Sequence, residues 1–186
     1  MTLTITLKMT LKILSLALAG LAFAAGPAWA GKAHEHGVMK LDVAVDGSKL
    51  SIALESPLDS FLGFERAPRS DAERQAAAEL LSRLRRPDQG APLFSPEAAA
   101  QCSLSKADVR APVLQAPMPA AAKDGHAELD AEYIYTCAQP VQLKSLGLGL
   151  FEAFRWLKRI DVQVAGPQGQ SRLTLTRPAR SIRLAR

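Results

Sequence analysis

Histidine, cysteine and aromatic residues are all scarce in this chain, and each scarcity removes a class of function. There are three histidines among 186 residues, His34, His36 and His126. Two of them sit near the start, so a Ser-His-Asp arrangement would have to be built on His126, and nothing near His126 supports one. No Gly-rich phosphate loop, nucleophile elbow or His-Glu-x-x-His helix occurs. A non-enzymatic role is expected. Aromatic residues number two Trp, two Tyr and six Phe, and none lies among the arginines of the closing stretch RLTLTRPARSIRLAR. A basic stretch without interleaved aromatics is a poor nucleic-acid interface, so no nucleic acid is expected as a partner and a solvated basic edge is the simpler reading.

Long apolar runs are also missing. The longest, ILSLALAGLAFAA from Ile13 to Ala25, is shorter than the ~20 residues a spanning helix needs, and no basic stop-transfer cluster follows it. Lys8 and Lys12 precede it and Ala28-Trp29-Ala30 ends it with small residues, the pattern of a secretory leader. Residues 1–30 are therefore expected to be a signal peptide cleaved after Ala30, which leaves residues 31–186 as a single exported, periplasmic domain with no membrane span. Loss of Lys8 and Lys12 lowers the net charge from +5 to +3.

The only two cysteines, Cys102 and Cys137, both fall in that domain. In an oxidising compartment an even count is expected to pair, here as one structural disulfide. A redox pair or a thiolate metal site is the rival reading, but the two residues lack the close spacing those sites use.

Hydropathy patterning indicates the fold class. Met39, Leu41, Val43 and Val45 alternate with Lys40, Asp42 and Ala44; Asp46-Gly47 is expected to turn the chain, and Leu50, Ile52 and Leu54 resume the alternation. Ser70 to Arg86 is expected to be a helix, opened by a Ser70/Glu73 capping box, with Ala72, Ala76, Leu80 and Leu84 on one face and Pro87 as its stop. A second short helix is expected from SPEAAAQC, capped by Ser95 with Pro96 at its first position. The proline- and alanine-rich residues Ala111 to Asp124 form an irregular connection. Alternation returns in HAELDAEYIYTC, with Ala127, Leu129, Ala131 and Tyr133 facing one way and His126, Glu128, Asp130 and Glu132 the other. Leu146, Leu150, Phe151, Phe154 and Leu157 are spaced as an amphipathic helix, Ile160–Ala165 and Arg172–Thr176 as paired strands, and Ser181–Ala185 as a last strand. Six strands with two or three short helices and no β-α-β crossovers predict an α+β fold on an antiparallel sheet built from hairpins.

Metal binding is the chemistry best served by the residues present. His34-x-His36 in extended chain puts both rings on one side, and His126, Glu128 and Asp130 share a strand face. If those segments are neighbours, three imidazoles and a carboxylate approach a tetrahedral zinc site. Glu35 points away from its flanking histidines in such a chain. The plain alternative is a solvated chain end and a surface histidine, and spacing alone leaves the two open.

The order of motifs carries a resemblance. AHEHG before the first strand, LESPLDSFLGFERAP, a cysteine after a helix, GHAELDAEYIYTC, LFEAF and IDVQVAGPQGQSRLTL together resemble the ZrgA-like periplasmic zinc-uptake proteins over nearly the whole domain. The resemblance implies a zinc-binding accessory protein that assists zinc acquisition under zinc limitation and maintains metal homeostasis. Its partner would be the zinc ion and a periplasmic component of a zinc importer. It carries His34, His36 and His126 over as the matching histidines and Cys102 and Cys137 as the cysteine pair; Glu128, on the strand face of His126, is the carboxylate expected to complete the metal ligands. The family's His-rich tract is missing from APVLQAPMPAAAKDG, and its GFEHAP motif has Arg66 in place of histidine, a side chain with no lone pair for a metal. One zinc ion held with modest affinity is therefore expected. The alternative is a metal-free periplasmic interaction module, in which Phe61, Leu62 and Phe64 meet a partner protein instead of plugging the core.

Overall fold

The computed structural model describes residues 35–115 and 127–184. Strands β1 (Val38–Asp46) and β2 (Lys49–Pro57) form the expected antiparallel hairpin, in which Val43 stands opposite Ile52 and Asp46 opposite Lys49. The turn is one residue later than the Asp46-Gly47 expectation: Asp46 stays in the ladder, and Gly47 takes the left-handed φ of 54° that a glycine tolerates. Odd-numbered Met39, Leu41 and Val43 are buried while Lys40, Asp42 and Ala44 are exposed, so period two delivers one dry and one wet face.

After β2 come a short helix α1 (Asp59–Leu62) and the long helix α2 (Asp71–Arg85). Ser70 caps α2 as expected, its hydroxyl accepting from Glu73 N at 3.2 Å. The buried stripe is Ala77, Leu80 and Leu84 instead of one beginning at Ala72, which is exposed. Residues Phe94–Pro96 are strand β3, followed by a 3-10 turn at Ala98–Ala100. The helix expected from SPEAAAQC does not form, because Gln101 turns left-handed (φ 50°) and hands the chain directly to β4 (Cys102–Arg110).

Strand β5 (Glu128–Cys137) buries Leu129, Ala131, Tyr133 and Tyr135 and turns Glu128, Asp130, Glu132 and Ile134 outward, as its alternation predicts. The expected helix from Leu146 is instead strand β6 (Ser145–Leu148) and a four-residue helix α3 (Leu150–Ala153). Two glycines decide this. Gly147 lets β6 pass Ser95, and a Cβ on Gly149 would lie 2.2 Å from the Pro92 carbonyl oxygen. Strands β7 (Arg159–Gly166), β8 (Gly169–Thr176) and β9 (Ser181–Arg183) close the chain near their expected bounds.

The strands form a six-stranded sheet in the order β4-β5-β2-β1-β7-β8 and a three-stranded sheet in the order β3-β6-β9. Pairing is antiparallel except for β1 with β7, which run parallel, so the α+β class holds and the large sheet is mixed. The inward face of the large sheet meets the small sheet, where Phe94 of β3 packs on Tyr133 of β5 with ring centroids 5.0 Å apart. Burial raises the hydroxyl pKa values of Tyr133 and Tyr135, and Tyr135 donates to Asp88 at 2.7 Å. Cys102 stands directly opposite Cys137 across the β4–β5 ladder and is bonded to it. A bridge across 35 residues of chain stabilises by about 4 kcal/mol on loop entropy. Among the described residues no helix is long and apolar enough to cross a membrane.

Candidate metal centre

The loop that follows β2 brings two carboxylates to the same place. Pro57 ends the ladder opposite Glu128, and Leu58 N donates to Ala127 O at 2.8 Å, which fixes where α1 begins. Asp59 is the first residue of α1, and Phe61 anchors the helix edge-on against Phe154 with ring centroids 4.8 Å apart. Gly63 then caps α1 with φ 78°, accepted by Asp59 O at 2.8 Å, and reverses the chain so that Glu65 comes back beside Asp59. Phe61 is thus core, as the plugging alternative holds, and Phe64 lies half-buried under the Arg66 guanidinium at 4.8 Å.

His36 meets these carboxylates from the other side. Its Nδ1 lies 2.6 Å from Asp59 Oδ2 and 3.5 Å from Glu65 Oε1. The imidazole is 67% exposed, whereas the Asp59 and Glu65 side chains are only 18% and 30% exposed. One ligand atom from each of the three residues falls within 4.8 Å of the others, a spacing that small side-chain shifts close to the ~3.3 Å separating donors on a tetrahedral zinc with ~2 Å bonds. Asp59 Oδ1 and Glu65 Oε1 are buried and have no hydrogen-bond partner among the described residues. Buried carboxylate oxygens without a donor are expensive, and a divalent cation would satisfy both. An ion bound by His36 Nδ1 and Asp59 would take the place of the hydrogen bond between them.

The residues expected from sequence are distributed as follows. His34 and His126 lie outside the described residues. His36 is in the cluster. Glu128 is placed opposite Pro57, two residues from Asp59 along the chain that enters α1, and is not one of the three clustered residues. Asp130 stands outward between Glu55 and Arg110; burial raises its pKa, and the neighbouring Glu128 and Glu55 charges add to the rise. Glu35 is turned away from the cluster's chemistry and held by Arg159 in a two-pronged pair at 2.9 and 2.7 Å. Cys102 and Cys137 are joined and offer no thiolate to a metal. Arg66 is taken up by Glu73 of α2 at 2.8 and 2.7 Å, which pins the loop next to Glu65.

Asp59 and Glu65 are the ligand candidates that the sequence did not single out. They lie in the LESPLDSFLGFERAP motif, but six residues apart in an aperiodic loop, a spacing with no metal signature of its own. A family model described as ZrgA family zinc uptake protein matches residues 33–184, spanning His34, His36, the acidic loop, His126 and both cysteines. No curated protein matches the chain.

Proposed function

The chain belongs to the ZrgA family of zinc uptake proteins, and from that premise we propose that it is an exported, non-enzymatic zinc-binding accessory protein. In this reading residues 1–30 direct export and are removed, and residues 31–186 act in the periplasm to bind zinc for an import system under zinc limitation. The ion is held by His36, Asp59 and Glu65. His34 and His126, which the matched residues of the family model include, are assigned to zinc with them. Glu128, opposite Pro57, acts as a neighbouring charge or exchange ligand. The observation that carries the reading is a histidine meeting two shielded carboxylates, each with a buried oxygen that has no hydrogen-bond partner among the described residues.

Oxygen and imidazole donors suit zinc, and an ion held beside an exposed imidazole can leave again. That is what a delivery protein needs. Calorimetric titration of the metal-free protein tests the proposal. One zinc per chain is expected to bind. His36→Ala and Asp59→Ala are each expected to weaken binding by about tenfold or more, since even the outer partners of metal ligands are worth that much. Absence of zinc binding by the wild-type protein, or unchanged affinity in the double variant, rejects the site.

A further inference from the structure

We infer that the Phe154–Arg159 segment is a platform that registers His36 against Asp59 and Glu65, making Trp156 and Arg159 positioning residues of the ion site. The inference rests on the zinc-binding reading above.

The two halves of the site come from separate parts of the chain, His36 just ahead of β1 and Asp59 and Glu65 after β2. Both are seated on this one segment. On the acidic side, Phe154 holds Phe61 of α1, and the Trp156 indole lies against Gly63, which falls between the two carboxylates in sequence. A Cβ on Gly63 would stand 3.0 Å from both Cε2 and Nε1 of that indole, so the loop can lie on the ring only as glycine, which also supplies its φ of 78°. On the imidazole side, Gly37 O accepts from Lys158 N at 2.8 Å and from Arg159 N at 3.1 Å, and a Cβ on Gly37 would stand 3.0 Å from Trp156 O. The residue before His36, Glu35, is gripped by the Arg159 guanidinium, itself steadied by Asp161 at 3.2 Å. His36 is therefore held on both sides by residues 156–159, although its own ring is exposed.

Trp156 is also one of only two large hydrophobic side chains exposed among the described residues. Its exposure, unexplained by core packing, follows if its task is to support a surface loop. A metal site loses most of its affinity when its supporting shell lets a ligand drift by about 0.5 Å or more.

Zinc affinity and thermal stability measured side by side test the inference in the exported protein. Gly63→Ala should lift the acidic loop off the indole and weaken zinc binding by about tenfold or more. Gly90→Ala is the control: Gly90 has a comparable φ of 69° but a Cβ there would meet nothing closer than 3.9 Å, so it should lower stability without changing zinc affinity. Arg159→Gln and Glu35→Gln should each weaken binding by about 2–5-fold, the range expected of an exposed ion pair, and the double variant should be no weaker than either single one. A Gly63→Ala protein that does not fold leaves the Glu35–Arg159 pair to decide the matter. Wild-type zinc binding that Arg159→Gln and a folded Gly63→Ala leave within twofold overturns the platform alone. Failure of the wild-type protein to bind zinc overturns the proposed function and the platform with it.

Discussion

At the scale of the residue, Arg66 changes meaning once its partner is known. In sequence it is a histidine lost from a metal motif. In the structure its guanidinium clasps Glu73, whose other oxygen contact is Arg69 N at 2.6 Å. The Arg66 hydrogen bond first, and the Arg69 backbone donor second, lower the Glu73 pKa from 4.5 to about 2. The sign follows from linkage: a carboxylate easier to ionise when folded adds stability that is complete above pH 4.5 and is lost as pH falls toward 2. Glu73→Gln is expected to be less stable than wild type at neutral pH, with the gap closing between pH 4.5 and 2 in a series of thermal melts. A gap that persists at pH 2 would assign the effect to packing of α2. His36 was legible as a candidate because His-x-His has a recognisable spacing. Asp59 and Glu65 were not, since only the left-handed turn at Gly63 brings them together.

At the scale of the element, period two proved more informative than helical spacing. Strands β1, β2, β5 and β7 announce themselves by alternating burial, and α2 by its Ser70 cap and Pro87 stop. Strand β4 escaped because it is an edge with a register shift between Leu104 and Lys106, where few side chains are buried and no alternation is required. The leucines at 146, 148 and 150 fit either period, and what tips them to a strand is a close approach no local pattern encodes. Gly149→Ala would force a methyl group to within 2.2 Å of the Pro92 carbonyl, so it is expected to destabilise by about 1–3 kcal/mol in urea unfolding. An alanine tolerated there at no loss would mean that the Pro92 loop is free to move aside.

At the scale of the whole molecule, the parallel pairing of β1 with β7 is the decisive contact. It sets Val38 beside Arg159 and so carries the histidine segment to the platform at the far end of the chain. Because the proposed ion site draws on residues 36, 59 and 65 over a support at 154–159, zinc bound there would tie the fold together. Zinc at about 100 times its dissociation constant is expected to raise the unfolding free energy by about 2.7 kcal/mol, with a corresponding rise in Tm. The His36→Ala/Asp59→Ala double variant should show no such rise, and an equal rise would place the ion elsewhere. Sequence by itself determined the α+β class, the strands whose two faces differ in solvent, the cysteine pair, and the family that the matched residues 33–184 now establish. These depend on local pattern or motif order, which the chain carries without folding. Tertiary structure alone decided which acids meet His36, that Arg66 serves the scaffold, and that Ser145–Leu148 is a strand with Gly149 packed against Pro92. Each of these is a contact between residues distant in sequence, and only the packed fold fixes such distances.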